Sequence, residues 1–318
     1  MKRLVLRPVA GHLPVARPVC YRGAMIHCVD HIVVAVRNLA VASATYGRLL
    51  GLEPSWRGAH PDFGTANTLF RFANTYLELL APEGEGLVAD TLRAYLDERG
   101  EGPLALAFGT SDAGAAAATL RARGMPAPDP DAESGHEIAS GKERKWLRFS
   151  LPLARTRGVP LMVVQHLSPP DALPIAVPTA APDSAVAAVD HVVVMTGSAE
   201  GVISLYGDML GLRLALDRTF EQRKLRLVFF RVGGLTVECA APLAGESTLG
   251  APTPGADLDR FWGISYRVAD IDAARARVAR AGLDVSEVRT GMKPGTRVCT
   301  VRSETQGVAT LLLGPGPS

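Results

Sequence analysis

A chain of 318 residues is long enough for two domains of ordinary size or one large one. Its composition, 47% hydrophobic and 21% charged, excludes a disordered or fibrous chain, and 34 basic against 32 acidic residues create no field that would draw nucleic acid or an anionic membrane. No apolar run reaches the roughly 18–20 residues of a bilayer span, and Cys20, Cys28, Cys239 and Cys299 are too scattered for a disulfide framework or a zinc knuckle. The expected partner is a small molecule, with no nucleic acid and no membrane, and the expected compartment is the cytoplasm.

Residues 1–24 carry several arginines, three prolines and no acid, and read as a disordered extension or a mis-called start before Met25. The chain then enters a β-branched run, IHCVDHIVVAV, that predicts a strand. Asn38 is placed to cap a helix whose Leu39, Ala42, Tyr46 and Leu49 share one face, and Gly51 to end it. Three strands follow around 55–60, 67–73 and 75–80, which makes a βαβββ unit. A second unit runs from PLALAFGTSD through an Ala-rich helix at 112–124 to the strands KWLRFSLP and PLMVVQHL. The segment SPPDALPIAVPTAAPDSAVA, residues 168–187, reads as a linker.

The pattern then repeats. Val29-Asp30-His31 returns as Val189-Asp190-His191, Leu50-Gly51-Leu52 as Leu210-Gly211-Leu212, and Glu78 as Glu238, all at one offset. Over the 54 positions from Val29 to Pro82 no gap is needed and 15 are identical, which argues duplication rather than chance. One unit exposes the face of a curved sheet and two must pair to bury it. The expected fold class is therefore α+β, with four βαβββ units paired into two tandem half-open barrels, 25–167 and 188–318, joined by the linker.

The duplication preserves few side chains, yet it preserves a histidine on the first strand and a carboxylate on the fourth. His31 with Glu78, and His191 with Glu238, are candidate ligands for a divalent metal such as Zn, Mn or Fe. Strand alternation turns Asp30 to the face opposite His31. His60, Thr65 and Asn67 in HPDFGTAN are expected at the barrel mouth, although Pro61 to Gly64 also reads as a plain hairpin turn with His60 exposed. Gln165 and His166 alternate, and a slip of one residue decides which of them faces inward. Arg144, Lys145 and Arg148 read as protective charge on a strand edge, with an anionic substrate as the alternative.

VDHIVVAV, a helix ending LLGL, HPDFGTANTLFRFANTYLELLAP and QHLSPP together resemble the vicinal oxygen chelate superfamily, which includes glyoxalase I, bleomycin-resistance proteins and type I extradiol dioxygenases. The glyoxalase-like branch is the most similar, and the resemblance covers nearly all of Met25 to Gly314. It implies the glyoxalase/bleomycin resistance/dioxygenase fold, a divalent ion (Zn, Mn, Ni or Fe), and a monomer or homodimer acting on a small oxygenated substrate. In metal-bearing members each unit gives a His or Gln from its first strand and a Glu from its last. Here the first units match, with His31, Glu78, His191 and Glu238. The second units carry Ala105 and Gly263 at the first position, and alignment on the terminal proline puts Gln165 and Leu311 at the second. A metal-dependent lyase or isomerase follows, using bidentate chelation and proton abstraction with Glu78 and His60 catalytic and Thr65, Asn67, Gln165 and His166 around the substrate. A metal-free sequestering protein is the alternative. Ring-cleaving dioxygenase chemistry is disfavoured, because it takes two ligands from the unit that holds Gly263 and Leu311.

Overall fold

The computed structural model describes residues 24–243 and 258–316. The expected extension at 1–24 lies outside them, apart from its last residue. The first half runs β1 (Cys28–Ala35), α1 (Leu39–Leu50), β2 (Trp56–His60), β3 (Thr65–Arg71), β4 (Tyr76–Pro82), α2 (Leu87–Arg99), β5 (Gly102–Gly109), α3 (Ala113–Ala122), β6 (Asp131–Glu137), β7 (Glu143–Ser150) and β8 (Leu161–His166). The second runs β9 (Val186–Met195), α4 (Ala199–Val202), β10 (Arg213–Phe220), β11 (Leu225–Val232), β12 (Leu235–Pro242), β13 (Arg260–Val268), α5 (Ile271–Arg280), β14 (Arg289–Thr290), β15 (Thr296–Val301) and β16 (Ala309–Pro315). Helix α1 starts and stops as its sequence predicts. The Asn38 side chain accepts from Val41 N at 3.0 Å, and Gly51 ends the helix at φ 70°, a left-handed conformation that favours glycine.

In the first half the strand order β1-β4-β3-β2-β6-β7-β8-β5 forms a closed barrel. It goes beyond the half-open form because Gly58 and Ala59 of β2 pair with Glu137 and His136 of β6. The second half has the same ladder, β10-β11-β12-β9-β13-β16-β15-β14, but stays an open sheet, with β10 at one edge and the two-residue β14 at the other. In both, the first strands of the two paired units run antiparallel side by side, β1 with β5 and β9 with β13.

The two halves share one hydrophobic core, to which Tyr46, Phe70 and Phe108 contribute from the first and Tyr206, Phe230 and Tyr266 from the second, all of them fully buried. Polar contacts weld the same seam. Arg277 of α5 donates to the carbonyls of Ser184 at 3.1 Å, Leu49 at 2.9 Å and Arg48, and so satisfies the bare C-terminal end of α1. Asn74 donates to Val189 O at 2.8 Å. Residues 168–187 do not hang free. Ala176 N donates to Arg71 O, Thr179 N to Gly51 O, and Leu173 packs with Trp56 and Leu69. Helix α2 closes one end of the first barrel, where Leu92 and Leu96 cover Ala35, Leu80 and Leu104.

Candidate functional site

The site begins with an irregularity in β1. Across to β5, Val29 pairs with Phe108 and His31 with Ala107, so Asp30 is an extra residue with no partner opposite. A bulge of this kind breaks the two-residue alternation and re-aims a side chain. The expectation that Asp30 faces away from His31 is thereby corrected. His31 Nδ1 donates to Asp30 Oδ1 at 2.7 Å, and His166 Nε2, arriving from β8, donates to Asp30 Oδ2 at 2.8 Å. Burial pushes the Asp30 carboxyl up, but the charges and hydrogen bonds of His166 and His31 outweigh it and hold it well below the usual carboxylate range. An ionised Asp30 only accepts, so the Nδ1 proton of His31 is committed to it.

That leaves Nε2 of His31, which lies 3.5 Å from Glu78 Oε2. Asn67 fixes the other oxygen of that carboxylate, Nδ2 to Oε1, at 2.7 Å, while its own Oδ1 is buried without a hydrogen-bond partner. The Tyr76 ring stacks on the imidazole at 4.7 Å between centroids. With Nδ1 carrying the proton, a lone pair and a carboxylate oxygen face each other, and either a second proton on the ring or a cation between them would relieve the contact. Two ligands of a tetrahedral zinc at ~2.0–2.2 Å stand about 3.3–3.6 Å apart, so the pair has the spacing of one ligand edge. The carboxylate behind the imidazole is the usual outer support of a metal-binding histidine. No group of three or more His, Cys, Asp or Glu side chains converges as a cage among the described residues. The residues present therefore fit a metal held at two points, with the unpartnered Asn67 oxygen beside them.

The other candidates divide between the two sides of the wall. Thr65 is buried and meets His60, whose Nδ1 lies 3.2 Å from Thr65 Oγ1. Desolvation lowers the His60 pKa below its ordinary value, against the opposing pull of Glu78 and Glu133, which disfavours the imidazolium. Gln165 and His166 part company. His166 turns to Asp30, whereas Gln165 turns outward and its Oε1 accepts from Ala113 N at the start of α3. Register also corrects the alignment on the terminal proline. Val33 pairs with Glu78, and Ala107, its counterpart in the second unit, pairs with Met162, so Met162 and not Gln165 stands where the second carboxylate would be.

Closure of the barrel brings in residues that the sequence alone placed on an edge. Arg144, Trp146 and Arg148 alternate inward along β7. Arg148 donates to both oxygens of Glu133, at 2.8 and 2.5 Å, and Trp146 Nε1 joins them at 2.9 Å. Arg144 is 6% exposed and lies 5.5 Å from the ring centroids of both Trp56 and Tyr76. At the bulged end of the barrel a cavity of 230 Å³ opens, with Asp30, Arg71, Tyr76, Arg144 and His166 among its walls.

The second sheet repeats the device with one difference. Asp190 is again the unpaired residue, between Val189 opposite Tyr266 and His191 opposite Ser265. His191 Nδ1 lies 3.0 Å from Asp190, and Nε2 lies 3.6 Å from Glu238. The His191 hydrogen bond, helped by its charge and Arg267, outweighs burial and pulls the Asp190 pKa to about 2. Burial raises that of Glu238, with His191 opposing. However, Ser265 Oγ stands 2.7 Å from Nε2, where the first barrel has Ala107. A serine hydroxyl that donates there occupies the lone pair left open in the first barrel.

Comparison with known proteins agrees with this architecture. A family profile described as a glyoxalase-like domain matches residues 29–188, and a second, for the glyoxalase/bleomycin resistance protein/dioxygenase superfamily, matches residues 190–300. This chain belongs to the glyoxalase-like family. It has two tandem glyoxalase-like domains, and over 62 residues the chain is 39% identical to an ethylmalonyl-CoA/methylmalonyl-CoA epimerase from Cereibacter sphaeroides. That match takes in 20% of this chain and 46% of the epimerase, so the chain spans less than half the length of the curated relative. Among solved structures, a mutant of 4-hydroxymandelate synthase from Streptomyces coelicolor superposes with a TM-score of 0.67 at 14% identity, covering 92% of this chain and 94% of that one. A hypothetical protein from Staphylococcus aureus does so with a TM-score of 0.60 at 12% identity, covering 91% and 100%. At such identities the likeness concerns the fold. Among the described residues no helix is long and apolar enough to cross a membrane.

Proposed function

We propose that the first glyoxalase-like barrel is a divalent-metal-dependent isomerase or lyase site that moves a proton on a carbon next to an oxygen of a small substrate. The observation that carries this reading is the imidazole of His31, its Nδ1 proton committed to Asp30 and its Nε2 facing Glu78 across 3.5 Å. His31 and Glu78 would hold the ion, which supplies Lewis-acid polarisation of two adjacent substrate oxygens. Asp30 fixes the orientation of His31, and Asn67 fixes that of Glu78. His60 is the base in this reading. In the tautomer whose Nδ1–H donates to Thr65 Oγ1, Nε2 keeps the lone pair needed to take a proton, and the lowered pKa keeps it available at neutral pH. An epimerase among the relatives, matched over part of its length, is consistent with proton transfer of this kind.

Ala105 and Met162, apolar where two further ligands would stand, favour a second reading, a metal-free protein that sequesters a small molecule. One experiment separates the two. Protein purified without chelators should carry about one divalent ion per chain, lost in His31→Ala and Glu78→Gln but retained in His60→Ala. In D2O, proton NMR should then follow loss of the exchangeable C–H signal from a panel of 2-oxo and 2-hydroxy compounds, with exchange abolished in all three variants. No uptake of Zn, Mn, Ni or Fe together with no exchange would replace the enzyme reading by sequestration.

A further inference from the structure

Arg144 is a buried guanidinium inside the first barrel. Among the described residues it forms no ion pair within 4.0 Å, whereas its neighbour on the same face, Arg148, is fully engaged by Glu133. Buried arginines are ordinarily paired, because an isolated charge removed from water costs several kcal/mol. Two aromatic faces, Trp56 and Tyr76, each 5.5 Å away, supply part of the compensation. A side-chain hydrogen bond with Tyr76 adds to it, and the guanidinium also lines the 230 Å³ cavity at the bulged end of the barrel. The second arginine of that cavity, Arg71, is spent on protein carbonyls, those of Pro170 at 2.5 Å and of Leu173. The one carboxylate in the wall, Asp30, is spent on His31 and His166.

We infer that Arg144 is the anchor for a carboxylate on the substrate, which makes the substrate class of this barrel a small monocarboxylic acid. The inference rests on the reading of the first barrel as a substrate site and adds the chemistry of what enters it. A planar guanidinium fork matches a carboxylate with two parallel hydrogen bonds. The charges in the wall, two arginines against one aspartate, leave room for one negative charge. The volume lies below the ~300–1,000 Å³ of sites for drug-sized ligands. Tyr76 touches both Arg144 and His31, so its ring stands between a carboxylate held on Arg144 and the imidazole, which is not itself in the cavity wall, and the rest of the substrate has to pass that ring to reach Nε2.

The test uses binding alone, so that it does not depend on catalysis. Whole protein treated with EDTA is titrated with lactate, pyruvate, lactamide (the neutral analogue) and inorganic phosphate, following tryptophan fluorescence, to which Trp56 beside Arg144 contributes. Saturable binding of lactate or pyruvate at least tenfold tighter than lactamide or phosphate is expected. It should be lost in Arg144→Gln and weakened at least tenfold in Arg144→Lys, which keeps the charge but not the fork. Because Arg144→Gln removes a buried charge that forms no ion pair, its Tm should equal or exceed that of the parent. Equal binding of acid and amide, tighter binding of phosphate, or an unchanged affinity in Arg144→Gln would overturn the inference. So would a Tm loss in that variant with carboxylate binding intact, since Arg144 would then be a packing residue. Carboxylate binding without metal uptake or exchange would leave this inference standing and remove the enzymatic reading. Exchange on neutral substrates, indifferent to Arg144→Gln, would do the reverse.

Discussion

The Asp30→Asn variant removes the charge on which the first site is built and leaves its shape almost unchanged. Asp30 accepts from two imidazoles, at 2.7 and 2.8 Å, with its side chain 10% exposed. A hydrogen bond to a charged group is worth about 1.5–3 kcal/mol, and breaking a buried pair from one side costs about 3–5. The new amide can accept from one ring only and must point a donor at the other, so a loss of about 3 kcal/mol is expected. At roughly 2.1 cal/mol/K of unfolding entropy per residue, a cooperative unit of this size should lose about 5 °C in Tm. The pH dependence sharpens the test. The folded Asp30 carboxyl lies below its unfolded value of 3.8, so its stabilisation is complete above about pH 4 and fades as pH falls toward the folded value. The gap between parent and variant should therefore be full at pH 7 and narrow steadily below pH 4. Scanning calorimetry from pH 3 to 7 measures it, and titration calorimetry with Zn²⁺ should show affinity reduced about 10–100-fold, as for loss of an outer-shell partner. A gap that is absent at pH 7, or the same at pH 3, would refute the account of Asp30 as an ionised support for His31.

Four further outcomes follow from the same geometry. Asp190→Asn in the second sheet should cost about 1 kcal/mol, solvent screening discounting the pull of its carboxyl from 3.8 to about 2, with its gap closing between about pH 4 and pH 2 in acid-titrated urea unfolding. Exchanging the residues opposite the histidines should exchange the sites: Ala107→Ser should abolish ion uptake by the first barrel, and Ser265→Ala should let the second take up an ion, both read by elemental analysis. Glu133→Gln leaves Arg148 inside the barrel facing a neutral amide, and should lower the urea midpoint by the equivalent of about 3 kcal/mol without altering ion stoichiometry. Asn67→Ala frees Glu78 Oε1 and should reduce exchange activity about 10–100-fold, with Tm changed by only a few degrees.

The repeat carried much of this in plain view. A single offset paired His31 and Glu78 with His191 and Glu238, and the caps of α1 were readable because each has a local chemical reason. What stayed hidden depended on long-range pairing. Asp30 lay on the wrong face by strict alternation, and a bulge has no signal in VDH itself, since it arises only when β5 sets its register against β1. The terminal proline misplaces Gln165 by three residues, because hydrogen-bonded register rather than the proline sets the position, and the amide belongs to the start of α3. The arginines of β7 read as edge protection in the sequence, and the pairing of β2 with β6 removes that edge. Strong charge inside a small barrel is readable only once it is known that the barrel closes.

The seam between the halves has a practical consequence for anyone who wishes to study one barrel alone. Arg277 reaches from the second half to carbonyl oxygens at the end of α1, and its burial is deep enough to lower its pKa to about 10. A cut through the connection would strand that cation on one fragment and leave bare carbonyls on the other, beside an exposed greasy surface. Dissection by point changes in the intact polypeptide, silencing one barrel while the other remains as scaffold, is the route that this seam permits.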